Sequence, residues 1–333
     1  GQRVIYSYTG LTPPAGLLSL IRHGEVAGVI FFKGNIASQS QLLAVARELQ
    51  KANAASTNPV RLPLLLMTDQ EGGQVRRLTW GRPTLSEKQI GQSAHPEAAA
   101  TSAGNGAAAT LRASGLNVNL APVLDVYRTA GNFIDQYGRS YSSNPAVVST
   151  LGAAFIAAQQ AGHVAATAKH FPGLGAAAKA QNTDLGPVTL GLSANTIRNV
   201  DELPYKAAIA RQVKLVMASW ALYPALDTRY PAGLSWTIIH GELRGRLGFA
   251  GVTITDALEA GALRNFGSTG NRATLAAKAG MDLLLCSVQH YSQGQAAMTA
   301  LNSYYLGAST SAQAQFKLEA ERVMALRATL PSA

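Results

Sequence analysis

The chain has 333 residues, 47% of them hydrophobic and 14% charged, enough to bury a large core in one big α/β domain or two ordinary ones. It contains no run of about 18 apolar residues, so no transmembrane helix is expected, and the single cysteine, Cys286, excludes an intrachain disulfide. The formal net charge of +10 raises nucleic-acid binding as a reading, but the Lys and Arg residues are dispersed without a block or motif. A solvated basic surface is expected instead, with no nucleic-acid partner.

Taken in chain order, eight short β-prone runs stand out, at 4–8, 27–32, 62–68, 116–121, 164–168, 214–219, 252–255 and 283–287. Segments of helical spacing or composition separate them, at 17–25, 38–52, 86–114, 145–161, 194–211, 237–247 and 272–279, with a helical tail over 311–330. Ser38 is placed to cap its helix, and Gly115, Gly162, Gly248 and Gly280 stand where helices should stop. No Pro/Ser linker or shift of composition divides the chain, so a single domain over 1–333 is expected. Eight strands alternating with helices predict a (β/α)8 barrel of the TIM type. An open doubly wound sheet is the alternative, but no Gly-x-Gly-x-x-Gly follows the first strand, which counts against a dinucleotide fold. The chain opens on Gly1 rather than Met. A removed leader and export are expected on that ground, with a cytoplasmic protein as the alternative.

In a barrel of this kind the active site lies at the C-terminal ends of the strands. Asp69, Asp125, Lys169, His170 and Asp256 all fall at or just beyond such ends. In the stretch 68–78 the paired glycines permit a sharp turn, leaving Asp69 as a short fixed carboxylate able to accept from two hydroxyls. Arg77 is placed to return to the same mouth. A structural Asp–Arg pair shaping the loop explains these two residues equally well. Lys169 and His170 are adjacent, so both reach one ligand only if the strand has ended; Pro172 and the following glycines point to that and to a mobile loop over 173–187. Asp256 reads either as a helix cap or as a carboxylate opening into the mouth.

These motifs together resemble glycoside hydrolase family 3, in its single-domain bacterial β-N-acetylglucosaminidase branch. The anchors are GVIFF at 28–32, TDQEGGQVRRL at 68–78, LNVNLAPVLDV at 116–126, GRSY at 138–141, KHFPGLG at 169–175, YPALD at 223–227 and ITDAL at 254–258. The resemblance implies a barrel, hydrolysis with retention of configuration, a saccharide substrate and neither metal nor other cofactor. It implies sugar contacts from Asp69, Arg77, Arg139, Lys169 and His170, and Asp256 as the nucleophile that forms a glycosyl-enzyme. The cations at 77, 139 and 169 would favour the charged form of that nucleophile. A monomer is expected.

The sequence departs from the family where the proton is moved. The family loop continues to Asp-Ser-His, the acid/base dyad, where this chain has Ala180, Gln181 and Asn182; Leu174 replaces a loop histidine, and Trp220 stands where a histidine usually follows the sixth strand. Three readings follow. Asp184 is the candidate acid/base, brought in from a shifted loop, against a simple loop-end cap. Alternatively the enzyme depends on good leaving groups, or on an acceptor such as phosphate that needs no base. Or the barrel binds saccharides and no longer cleaves them.

Overall fold

The computed structural model describes residues 1–55 and 57–332. Its strands Val4–Tyr6 (β1), Gly28–Ile30 (β2), Leu65–Thr68 (β3), Val118–Asn119 (β4), Ala165–Phe171 (β5), Leu215–Ala218 (β6), Val252–Ala257 (β7) and Leu283–Leu285 (β8) each pair in parallel with their neighbours in sequence. β8 pairs with β1 and closes the ring, giving the (β/α)8 barrel that the alternation predicts. Each strand falls within or across one of the eight β-prone runs.

The barrel is filled by its own side chains. Ile5, Leu65, Val118, Leu215, Ile254 and Leu283 belong to one fully buried cluster. At about 1.5–3 kcal/mol for each large apolar side chain buried, such a core carries the fold, and the polar groups at the mouth need not. The final helix, Thr310–Ala328, closes the end where the strands begin, with Val323 and Leu326 joining the same cluster. Its polar side chains meet residues that immediately precede strands. Arg327 donates to the carbonyls of Pro63 and Leu62, Glu319 pairs with Arg3 at 2.8 Å, and Arg322 pairs with Asp282.

Differences from the expected elements have local causes. The run 86–114 is two helices, Glu87–Gly91 and Pro96–Ala113, because Pro96 has no N–H to continue the first and suits the opening of the second. The run 194–211 breaks likewise before Leu203–Ala210, whose second residue is Pro204. The helix Tyr291–Gly307 has no counterpart among the expected segments: its buried stripe is Gln293, Gly294, Ala297 and Leu301, of which only two are apolar. Ser38 caps its helix by accepting from the Gln41 N–H. Gly115, Gly248 and Gly280 take the left-handed conformation where helices end, whereas Gly162 does not. Among the described residues, no helix is long and apolar enough to cross a membrane.

Candidate active site

β3 ends at Thr68, and Asp69 follows. Residues 70–72 and 75–76 then form a small antiparallel hairpin, turned by Gly72 and Gly73 at φ +118° and +54°, which returns the chain to its starting point. The Arg77 N–H donates to the Asp69 carbonyl at 3.2 Å, and its guanidinium lies 3.6 Å from Oδ2 of Asp69. The two readings of this pair thus merge: it shapes the loop, and it faces the mouth.

β5 does not stop before Lys169, as the sequence suggests, but runs on through Phe171. Its register against β6 shifts between Lys169 and Phe171, with a cis peptide between Lys169 and His170. An irregularity within the strand, rather than its end, therefore turns two consecutive side chains to the mouth. Lys169 Nζ donates to Asp69 Oδ1 at 2.9 Å and lies 2.7 Å from Oε1 of Glu71. Glu71 is also held bidentately by one edge of Arg139, through Nε and a terminal nitrogen, each at 2.9 Å. Burial pushes the Glu71 carboxyl up, but Arg139 and Lys169 outweigh it and hold the pKa down at about 2. Asp69 is likewise lowered, burial being overcome by Lys169 and then Arg77. For Lys169 and Arg139, burial opposes the charged form and the acidic partners more than restore it, so both are raised.

His170 Nδ1 is 2.7 Å from Oδ2 of the fully buried Asp125, whose Oδ1 also accepts from the Leu174 N–H at 2.6 Å. One carboxylate thus orients the ring and ties down the start of the loop. The other ring nitrogen is 3.5 Å from a terminal nitrogen of Arg139.

Asp69, Arg77, Arg139, Lys169, His170, Asp184 and Asp256 all line one cavity of about 330 Å³. Its floor includes Ile30, Leu120, Met217 and Leu285, the top of the barrel core. Asp256 lies within β7, half-buried, with Oδ1 accepting from the Ala257 N–H at 2.7 Å. The cations expected to face it are largely engaged elsewhere. Arg77, Arg139 and Lys169 all contact Asp69 or Glu71.

The loop 173–187 delivers Asp184 into the cavity. Asp184 keeps solvent access, yet the surrounding walls and then the charge of Asp256 raise its pKa, against weaker pulls from His170 and Arg139. Where the family has Asp-Ser-His, Gln181 and Asn182 build the turn instead. Gln181 accepts from the Ala178 N–H, and Asn182 accepts from the N–H of Asp184. Trp220 is buried and does not line the cavity; its ring N–H donates to the Ala257 carbonyl at 2.8 Å, so it braces the strand that carries Asp256.

Two residues of the site are not legible in the sequence. Glu71, buried behind the cavity lining, lies inside the motif at 68–78, and only the fold shows that this second carboxylate clamps Lys169 and Arg139. Glu259 lines the cavity three residues after Asp256 and is held by Ser287 and Gln293. Its spacing from Asp256 was the available signal. Among the described residues, no group of three His, Cys, Asp or Glu side chains is arranged to hold a metal ion.

Comparison with known proteins gives a consistent set of relatives. The model of the glycosyl hydrolase family 3 N terminal domain matches residues 12–326. An uncharacterized secreted glycosyl hydrolase of Arthroderma benhamiae is 48% identical over 330 residues, covering 99% of this chain and 92% of that protein. A beta-hexosaminidase of Xylella fastidiosa is 33% identical over 291 residues, 85% of this chain and 82% of the other. Among solved structures, a β-N-acetylglucosaminidase from Paenibacillus sp. str. FPU-7 superposes with a TM-score of 0.88 at 34% identity over all of this chain, which spans 62% of the Paenibacillus chain. A β-N-acetylhexosaminidase from Beutenbergia cavernae gives 0.86 at 30% identity, covering 98% of this chain and 96% of that one.

Proposed function

The chain belongs to glycosyl hydrolase family 3, and from that premise we propose that it is a retaining β-N-acetylhexosaminidase that removes terminal N-acetylglucosaminyl groups from small glycosides or wall-derived fragments, working as a single barrel domain. Asp256 attacks the anomeric carbon and forms a glycosyl ester as the aglycone leaves. Asp184 protonates the departing oxygen, then takes a proton from the water that cleaves the ester. The observation that carries this reading is that Asp184 and Asp256 share one small cavity with a fixed set of sugar-binding groups. Two carboxylates whose environments differ are what an acid/base and a nucleophile require, and the raised pKa of Asp184 favours it as the proton carrier.

The remaining roles follow from what each group has left to offer. Lys169 spends two of its three N–H donors on Asp69 and Glu71, leaving one for a sugar hydroxyl. Asp69 keeps free lone pairs to accept from hydroxyls, while Arg77, Arg139 and His170 complete the ring of contacts. A small cavity floored by the barrel core suits one terminal sugar ring rather than a chain running through it. Water is favoured over phosphate as the acceptor, since Asp184, ionised once it has given up its proton, and Glu259 would repel an anion at the mouth. The missing dyad motivates a binding-only barrel, but a second carboxylate beside Asp256 favours hydrolysis. The N-acetyl preference is taken from the names of the relatives, and export from the secreted Arthroderma protein.

Release of 2,4-dinitrophenol from the N-acetylglucosaminide and the glucoside tests the reading, because that leaving group departs without protonation. Turnover of the N-acetylglucosaminide that disappears in Asp256→Asn is expected. Undiminished turnover by Asp256→Asn, or a preference for the glucoside, would contradict it.

A further inference from the structure

The loop that bears Asp184 does not hang free over the cavity. Its far end is tied, by backbone alone, to the segment that follows the β7 strand. The Gly261 N–H donates to the Asp184 carbonyl at 2.8 Å, and the Ala262 N–H donates to the Thr183 carbonyl at 2.9 Å. These are consecutive donors on one segment meeting consecutive acceptors on the other, so the contact fixes the direction of the loop as well as its distance. Gly261 is where the two backbones come closest. A Cβ there would lie 2.4 Å from the carbonyl oxygen of Leu185, 2.5 Å from its carbon and 2.9 Å from the carbonyl oxygen of Asp184. Those atoms are all main chain, so no side-chain rotation could make room. Gly261 does not occupy the left-handed region, so its own backbone conformation does not demand glycine. The approach of the loop does.

The same segment carries Glu259, two residues earlier. Its carboxylate accepts from Ser287 Oγ at 2.5 Å, from the Ser287 N–H at 3.3 Å and from Gln293 Nε2 at 2.9 Å. None of these donors titrates, and together they immobilise a negative charge on the wall that Asp184 faces. We propose that residues 259–262 are the positioning element of the acid/base: Gly261 and Ala262 hold the loop so that Asp184 faces the cavity, and the anchored Glu259 holds a carboxylate on the wall that Asp184 faces. The proposal rests on the assignment of Asp184 as acid/base. The other charged groups around Asp184 are Asp256 on β7, His170 on β5 and Arg139, with Arg264 near the loop at Gly186. Burial and then Asp256 favour the proton, His170 and Arg139 oppose it, and Glu259 adds a smaller contribution in its favour.

Leaving-group dependence separates positioning of an acid from a general structural fault, because a dinitrophenyl group needs no proton whereas a methyl group does. The test measures kcat/KM for dinitrophenyl and methyl glycosides of the same sugar with the wild-type protein, Asp184→Ala, Gly261→Ala and Glu259→Gln, with melting temperatures recorded for each. Asp184→Ala is expected to keep the dinitrophenyl substrate within about threefold and to lose about 10²–10⁴-fold on the methyl substrate. Gly261→Ala should show the same selective loss, tenfold or more on the methyl glycoside alone. Glu259→Gln, nearly the same shape, should move the high-pH limb for the methyl glycoside to lower pH and leave the dinitrophenyl profile in place. If Asp184→Ala is selective but Gly261→Ala loses both substrates equally or neither, the positioning role is overturned while the acid/base assignment stands. An unmoved limb in Glu259→Gln overturns the role given to its charge. If Asp184→Ala is itself unselective, the acid/base assignment falls and this proposal falls with it.

Discussion

The two ends of this barrel both bury pairs of charged side chains, and they resolve the same conflict in opposite ways. At the closed end, Arg3 meets Glu319 at 2.8 Å, while Arg244 and Arg322 converge on Asp282. Burial wins there: Glu319 and Asp282 are both raised despite their cationic partners, and Arg3 is lowered. At the open end, pairing wins: Glu71 and Asp69 are lowered, and Lys169 and Arg139 are raised. For the two glutamates the difference lies in the number and shape of the contacts, whereas Asp282, fully buried, is raised even with Arg244, Arg322 and Thr253 upon it. Glu71 receives a bidentate guanidinium and an ammonium together, whereas Glu319 takes one ion-pair contact from Arg3 and one amide hydrogen bond from Gln315. A closed end has only to hold the last helix in place. An open end must keep its charges fixed and ionised before a substrate arrives, and dense pairing does that.

The contrast predicts which property each substitution disturbs. The largest effect is expected from Asp256→Asn, a loss of about 10⁴-fold or more in turnover, comparable with the upper range for a positioned catalytic group, with little change in melting temperature. Glu319→Ala should do the reverse. Leaving Arg3 buried without its ion-pair partner costs about 3–5 kcal/mol in chemical denaturation, while kcat and KM of the folded fraction stay as in wild type. A change in kcat there would show that the two ends are coupled and would break the contrast.

Glu71→Gln should move both properties, since it frees Lys169 and Arg139 from their clamp. Its pH signature sets the two ends apart. The Glu71 pKa falls from 4.5 to about 2 on folding, so its contribution is complete above pH 4.5 and is lost as pH falls toward about 2. At 1.36 kcal/mol per unit that is about 3 kcal/mol. Glu319 and Asp282, raised on folding, have the opposite sign: their contribution is complete at low pH and is lost as pH rises through their raised values. Denaturation followed from pH 5 to 2 should therefore show a steeper loss for wild type than for Glu71→Gln. Parallel curves would contradict the pairing assigned to Glu71. The smallest effect belongs to Trp220→Phe, which removes one hydrogen bond to the Ala257 carbonyl and should cost about 0.5–1.5 kcal/mol, with a modest fall in kcat and an unchanged KM.

The barrel was legible because each strand is a short apolar run, and a run of that kind is visible without its neighbours. The mouth was legible where a polar residue ends such a run, as at Asp69, Lys169 and Asp256. Hidden features depend on contacts between segments far apart in sequence. Glu71 matters through Arg139 and Lys169, 68 and 98 residues away. The placement of Asp184 depends on Gly261 and Ala262, and no spacing within the loop announces that. Trp220 reads from the sequence as a replacement for a histidine after the sixth strand, but a hydrogen bond to the neighbouring strand and burial under Gly233 make it a brace. The helix Tyr291–Gly307 was missed for a simpler reason, that Gln293 and Gly294 interrupt its apolar stripe.

The central claim is that Asp256 carries the sugar through a covalent intermediate. A fluorinated N-acetylglucosaminyl fluoride tests it most directly, since the ring fluorine slows both chemical steps while the fluoride leaving group lets the first outrun the second. Mass spectrometry of the labelled and digested protein should find one sugar per chain, on the peptide containing Asp256, with no label in Asp256→Asn. A label on Asp184 or Glu259, or steady turnover with no trapped ester, would contradict it.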